Sequence, residues 1–235
     1  MARLCIAVPA FNEAEVIAAT LRSIPRALAG ADEIAILVVD DGSSDGTSAR
    51  ALALGAADPR VTVLRHAINR GLGAAIATAF AWARAHACDW LITYDADGQH
   101  APEDLAAVFA ALAAGRGDVV IGSRMLHPRG MPWYRVVGNW GLNVATWILF
   151  GVWTTDSQSG LRGFDRRALE SIVLRQDRMA VSSELIKEIR ARKLRAAEVP
   201  IRAIYTDYSL RKGQRSANGI NIVFRLLFDA LFGGE

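Results

Sequence analysis

Four times in the first 114 residues, a short β-branched or aromatic run gives way to a polar loop and then to a helix-forming stretch. The apolar runs are residues 4–8, 34–39, 61–64 and 90–94, and the helical patterns that follow them are 13–28, 48–54, 73–86 and 102–114. Strands separated by helices cannot close as hairpins. They need crossovers, which give a mainly parallel, Rossmann-like sheet with helices on both faces. A fifth strand is expected at 118–121. Beyond Arg124 the alternation weakens into a Pro/Gly/aromatic stretch (128–134), an apolar helix (136–150) and a polar segment (156–164). A helix at 184–192, a strand at 198–204 and an amphipathic helix at 220–232 complete the pattern. The expected organisation is one α/β domain over 1–235, whose first half, 1–124, carries the repeated unit and whose second half, 125–235, elaborates it.

A chain of 235 residues buries a sizeable core without help from disulfides or a structural metal. Cys5 and Cys88 are its only cysteines and form no CxxC pair, which argues against a zinc site or a redox couple. The formal charge of +3 gives little support to nucleic acid as a partner. The N-terminal apolar run is too short for a signal peptide. The most apolar stretch, 140–153, is shorter than the roughly 18 to 20 residues of a spanning helix. A cytoplasmic location follows as the expectation, at the membrane surface if the protein meets a membrane.

In an open α/β sheet, ligands bind outside the carboxyl ends of the strands, and the polar loops fall there. Asp95 and Asp97 project after the fourth run, with Gln99 and His100 behind them. Two such carboxylates suit a hard divalent cation, although for the pair alone an Asp-rich turn capping the helix that begins near Pro102 is the simpler explanation. Asp40-Asp41-Gly42-Ser43 reads either as a nucleotide contact or as an Asx-capped turn. Pro9-Ala10-Phe11-Asn12-Glu13 could be no more than a proline-marked helix start. Independent capping does not account for acids at three successive strand ends. Asn69-Arg70-Gly71-Leu72-Gly73 has Ile76 in the sixth place of a dinucleotide fingerprint, and no Gly-Lys-Ser/Thr occurs, so it reads as a structural glycine turn.

Taken in order, several motifs resemble family 2 inverting glycosyltransferases. They are Pro9-Ala10-Phe11-Asn12-Glu13, Val38-Val39-Asp40-Asp41-Gly42-Ser43, Asn69-Arg70-Gly71-Leu72-Gly73-Ala74, Asp95-Ala96-Asp97-Gly98-Gln99-His100 and Gly122-Ser123-Arg124. Asp156-Ser157-Gln158-Ser159-Gly160-Leu161-Arg162 and Glu198-Val199-Pro200-Ile201 extend the likeness. Within the family, the chain is most similar to the group of dolichol-phosphate mannosyltransferase and polyprenyl-phosphate glycosyltransferases. The resemblance implies a GT-A fold with an acceptor-side C-terminal elaboration. It puts the nucleotide sugar against Pro9, Phe11, Glu13, Asp40, Asp41, Asp95 and Ala96, and Mg²⁺ or Mn²⁺ on Asp95, Asp97 and Gln99. It also implies Asp97, Arg124 and Asp156 as catalytic residues, with Arg124 toward phosphate and Asp156 at the reacting carbon. Leu161, where the family often has Phe, and Lys212-Gly213-Gln214-Arg215-Ser216, a variant basic motif, are departures on the acceptor side.

A polyprenyl phosphate acceptor is already anionic, since the second pKa of a phosphate monoester is ~6, and it needs cations more than a base. Arg124, Arg135, Arg211 and Lys212 are candidates to hold it. A sugar hydroxyl acceptor would instead need Asp156 as base. Trp133, Trp140, Trp147 and Trp153, with the helix at 220–232, suit a peripheral membrane contact, while core packing or a homodimer interface explains the same tryptophans. A nucleotidyltransferase is disfavoured because the loop after the first strand offers no glycine-rich triphosphate site. A non-catalytic nucleotide-sugar-binding protein remains the alternative of a different class.

Overall fold

The structure, a computed structural model, describes residues 1–26, 28–128, 131–176, 181–202 and 204. The expected helix at 220–232, Arg211 and Lys212 lie outside the described residues. Strands β1 (Arg3–Ala10), β2 (Glu33–Asp40), β3 (Val61–Arg65), β4 (Trp90–Thr93) and β5 (Val119–Ser123) fall where the apolar runs do. Helices α1 (Ile17–Ser23), α2 (Thr47–Ala57), α3 (Leu72–Ala85) and α4 (Pro102–Ala113) connect them. Then come α5 (Trp133–Phe150), β6 (Arg162–Asp165), α6 (Arg166–Ser171), α7 (Val181–Ala191) and β7 (Ala196–Pro200).

These strands form one seven-stranded sheet in the order β3-β2-β1-β4-β6-β5-β7. Every neighbouring pair is parallel except those made by β6, which runs antiparallel to both β4 and β5. The sheet is covered on both sides, which is why its central strands read as continuous apolar runs. Ile6, Val8, Ile36 and Val38 point to the side carrying α1, α2 and α4, and pack with Ile17, Leu105 and Phe109. Cys5, Ala7, Leu37 and Val39 point to the other side, with Phe80 of α3, Leu169 of α6 and Leu185 of α7. Each fully buried Leu, Ile or Val contributes about 1.5–3 kcal/mol relative to exposure.

Where structure and sequence pattern differ, local hydrogen bonding decides. Helix α1 is confined to Ile17–Ser23 because the stretch before it is a loop tied sideways. The Glu13 amide donates to Thr47 Oγ1 at 2.9 Å, and the Ala14 amide donates to Asp45 Oδ2 at 3.0 Å. Pro25 then prevents continuation beyond Ile24. Helix α5 starts at Trp133 rather than 136, directly after Pro132, a residue suited to a helix start. Strand β7 ends at Pro200, four residues short of the expected end. Strand β6 matters most for function. Its antiparallel register pairs Arg162 with Thr93 of β4 and with Ile121 of β5. The chain entering β6 therefore arrives at the edge where β4 and β5 leave the sheet, and residues 154–161 join the loops after the parallel strands.

Candidate active site

The loops after β1 and β2 are laced into one rim. Asn12, at φ 53°, donates its amide to Ser43 Oγ at 2.9 Å, and its Oδ1 accepts from the Ser44 amide at 3.0 Å. Asp40 is fully buried. Its carboxylate accepts from the Ser43 amide at 3.0 Å and from the hydroxyls of Ser43 and Ser48. Asp41 accepts from the amides of Arg70 (3.0 Å) and Gly71 (2.6 Å) and contacts His66 Nδ1 at 2.7 Å. Both aspartates thus brace the rim, and Asp41 explains the glycine turn after β3. Gly42 has φ 74°, and a Cβ there would sit 2.7 Å from the Asn69 nitrogen, so this crossing of two loops requires glycine.

Beside this rim lies the acidic loop after β4. Tyr94 is buried and donates to the His100 carbonyl at 2.8 Å, while His100 Nε2 meets Asp95 Oδ2 at 3.2 Å. Thr20 Oγ1 donates to the Ala96 carbonyl at 2.9 Å, and the Gln99 amide donates to Asp97 Oδ1 at 3.0 Å. These bonds hold the two carboxylates in a tight loop. Burial pushes the Asp95 carboxyl up, but the His100 hydrogen bond and the charges of His100, Arg124 and Arg162 prevail and lower it. At Asp97 the lowering influence of the Gln99 amide and of His100 is outweighed. Burial first, then the negative charge of Asp95, push it up to about 6. One member of the pair is held ionised while its neighbour is pushed toward its protonated form.

That imbalance is an observation on which to test a divalent cation. Among the described residues no group of three or more His, Cys, Asp or Glu could hold a metal without help. Two carboxylates with room for phosphate oxygens are, however, what a hard ion such as Mg²⁺ uses when it binds together with a nucleotide. Asp95 and Asp97 fit that role, and the added charge would relieve Asp97.

Across the cleft stands the segment delivered by β6. Asp156 is fully buried and takes a two-pronged grip from Arg124, Nε to Oδ2 at 2.8 Å and Nη2 to Oδ1 at 2.9 Å, with the Arg124 amide at 3.0 Å. Glu198 of β7 fixes the approach to Asp156 by accepting from Thr154 Oγ1, the Thr155 amide and Thr155 Oγ1, each at 2.7 Å. From α5, Asn143 donates to the Thr155 carbonyl and accepts from the Ser157 amide at 2.9 Å. Arg162 is 3% exposed, donates to the Ser157 carbonyl at 2.7 Å and has an Nε with no partner among the described residues. Burial pulls its guanidinium down to about 10 against the raising influence of Asp156 and Asp95. Gly160 completes the junction, because a Cβ there would fall 1.9 Å from Asp95 Oδ2. Asp95, Gln99, His100, Arg124, Gln158 and Gly160 line one cleft.

The glycosyl transferase family 2 profile matches residues 5–173, from β1 to just past α6. The chain belongs to glycosyl transferase family 2. It is 41% identical over 97% of its length to an uncharacterized protein of Methanocaldococcus jannaschii, of which it covers 92%. It is 36% identical to the UDP-N-acetylglucosamine–dolichyl-phosphate N-acetylglucosaminyltransferase of Methanococcus voltae, covering 94% of this chain and 93% of that one. Against the polyprenol monophosphomannose synthase of Mycolicibacterium smegmatis it is 39% identical, covering 73% of this chain and 65% of that one. This glycosyltransferase has the GT-A fold. Glucosyl-3-phosphoglycerate synthase of Mycobacterium tuberculosis, solved with phosphoglyceric acid, superposes with TM-score 0.70 at 20% identity over 97% of this chain and 80% of that one. A mannosyltransferase of Pyrobaculum calidifontis, solved with GDP-mannose and Mn²⁺, gives 0.62 at 24% identity over 95% and 64%.

In this family 2 enzyme, Pro9 lies at the end of β1, paired with Val39, and Phe11 stands 41% exposed at the rim. Glu13 is buried, and its charge contributes to raising Asp97. Asp95, Gln99 and Arg124 line the cleft, Asp156 is buried against Arg124, and Asp97 shares the loop of Asp95, with Ala96 buried between them in sequence. Arg135 lies in the first turn of α5. Gly160, Arg162 and Glu198 stand in the motifs quoted from the sequence but were assigned no role there, and Asn143 was not singled out. For Arg162 and Gly160 the signal was their place in the motif after Asp156, whereas Asn143 within an apolar helix was a polar residue in need of a buried partner.

Proposed function

We propose that this glycosyltransferase transfers a hexose, with inversion, from a nucleoside diphosphate sugar of the GDP-mannose or UDP-glucose type to a polyprenyl or dolichyl phosphate. The reading is supported by the names of the relatives from Methanococcus voltae and Mycolicibacterium smegmatis and by the way charge is distributed across the cleft. Residues 1–124 would bind the donor and 125–235 the acceptor, within one domain. Asp95 and Asp97 would hold Mg²⁺ or Mn²⁺, with Gln99 beside them. Such an ion stabilises the charge that develops on the departing diphosphate. The rim built by Pro9, Phe11, Glu13, Asp40 and Asp41 would face the nucleoside, with the two buried aspartates shaping its backbone.

The observation that carries the choice of acceptor is the Arg124–Asp156 fork. Both oxygens of Asp156 are engaged by Arg124, so taking a proton from a sugar hydroxyl would first require that fork to open. An acceptor that is already an anion needs no such step. It needs the positive field that Arg124 and Arg162 provide, with Arg135, Arg211 and Lys212 as further candidates. An acceptor with a polyprenyl tail also puts the enzyme against a membrane. The test is transfer of labelled hexose to polyprenyl phosphate compared with the unphosphorylated polyprenol. Product with the phosphate alone is expected, whereas equal transfer to the alcohol would restore Asp156 as a base and reject this reading.

A further inference from the structure

Three donors converge on the carboxylate of Glu198, which β7 sets opposite Ile121 of β5. Its Oε1 accepts from Thr154 Oγ1 and from the Thr155 amide, and its Oε2 accepts from Thr155 Oγ1. A hydroxyl has a single proton to give, so these bonds fix the direction of every bond behind them. Thr154 Oγ1, with its proton committed to Glu198, accepts from the Asp156 amide at 3.4 Å. Thr155 Oγ1 is committed in the same way, so the serine is the donor in its 2.6 Å contact with Ser123 Oγ. Ser123 Oγ in turn accepts from the Met125 amide at 3.2 Å.

Two one-way chains of hydrogen bonds therefore end on one carboxylate. The first runs from the Asp156 amide through Thr154, and the second from the Met125 amide through Ser123 and Thr155. Their outer ends flank the fork, because Arg124 lies between Ser123 and Met125, and Asp156 directly follows Thr154 and Thr155. Ser123, Thr154 and Asp156 are buried, so a lost partner leaves a polar group unsatisfied. The group at 198 must accept from all three donors, which a carboxylate does and an amide does not. In a glutamine, an NH2 in the place of Oε1 would face the Thr155 amide, which cannot reverse. In the place of Oε2 it would turn the Thr155 hydroxyl toward Ser123, which would then face two donors and have no acceptor for its own proton.

We propose that Glu198 is a positioning residue: by terminating both chains it sets the Arg124–Asp156 fork in the geometry that sugar transfer uses. The proposal rests on the reading of this cleft as the transfer site, but its first measurement needs no substrate. In the full chain, with arginine side chains labelled for nitrogen NMR, hydrogen exchange of the Arg124 Nε–H reports the fork directly. That signal is the one missing from Arg124→Lys. Glu198→Gln is expected to speed its exchange at least about tenfold, while the amides of β1 and β2 keep their wild-type protection. In transfer to polyprenyl phosphate the same variant is expected to lose about tenfold or more in kcat with the donor KM unchanged. Should Glu198→Gln misfold, Thr155→Val cuts the second chain and is expected to show both effects, which Thr155→Ser, with its hydroxyl, reverses. Wild-type exchange at Arg124 in folded Glu198→Gln or Thr155→Val would overturn the proposal, as would faster exchange with an unchanged kcat. So would β1 amides that quicken in step with Arg124, because Glu198 would then be a general structural support, or Thr155→Ser behaving like Thr155→Val. A wild type that transfers nothing to polyprenyl phosphate rejects the acceptor reading and leaves the exchange measurement to decide on Glu198.

Discussion

Asp97 is the residue on which the proposed donor side turns. Its carboxyl is raised to about 6, so the folded protein favours its protonated form. Without a cation, the stability this group contributes is fully present below the ordinary value of about 3.9 and is lost as pH rises through about 6. Cation binding runs the other way, because the ion competes with that proton. The affinity for Mn²⁺, read by calorimetry, is therefore expected to weaken about tenfold per pH unit below about 6 and to level off above it. An affinity constant from pH 5 to 7 would refute the assignment. Gly160 gives a second residue-level prediction. In Gly160→Ala the new methyl would collide with Asp95 Oδ2, and a shift of about 1 Å at a reacting centre costs on the order of 10²-fold in rate. A loss of that size in kcat with unchanged far-UV circular dichroism is the expected result, and wild-type turnover would show that the close approach is unimportant. Asp95 and Asp97 were legible in the sequence because acids recur at successive strand ends. Arg162 was not, since arginine is normally a surface residue and only the fold shows it buried between Asp95 and Asp156.

Among the elements, β1, β2, β4 and β5 were readable because strands covered on both faces must be apolar along their whole length, and β3, at the sheet edge, by its shorter β-branched run. Strand β6 was not. Its four residues, Arg-Gly-Phe-Asp, carry two charges and show no apolar run, and they form a strand because β4 and β5 offer pairing on both sides. That strand reverses the chain and delivers Asp156 to the site. Helix α5 then acts as a bracket, with Asn143 making two hydrogen bonds to the loop on either side of Asp156. Asn143→Ala is expected to lower kcat by about tenfold or more and to raise the KM for the acceptor, because a loop that loses its bracket no longer holds the acceptor in reacting geometry. The KM for the donor should stay unchanged, since the bracket touches no donor-side loop. A donor KM that rises instead would place Asn143 in a general structural role.

The whole molecule is a GT-A sheet whose carboxyl edge carries two charge systems: an acidic pair in which Asp97 is raised to about 6 on one side, and a buried arginine with an arginine-bound aspartate on the other. A nucleoside diphosphate sugar bridged to the acidic pair by a divalent ion, and an anionic acceptor beside the arginines, would meet between them. The fold followed from strand periodicity, and the proposed donor side rests on the places of acids. The acceptor side depends on which residues an antiparallel strand and a helix bring together across long sequence distances, which periodicity does not reveal. The most direct test of this account is transfer of labelled hexose from GDP-mannose or UDP-glucose to polyprenyl phosphate, run with Mn²⁺, with a chelator, and with Asp97→Asn. Product is expected with Mn²⁺ alone, falling by at least about 10²-fold in the other two. Undiminished product in the presence of chelator, or from Asp97→Asn, would contradict it.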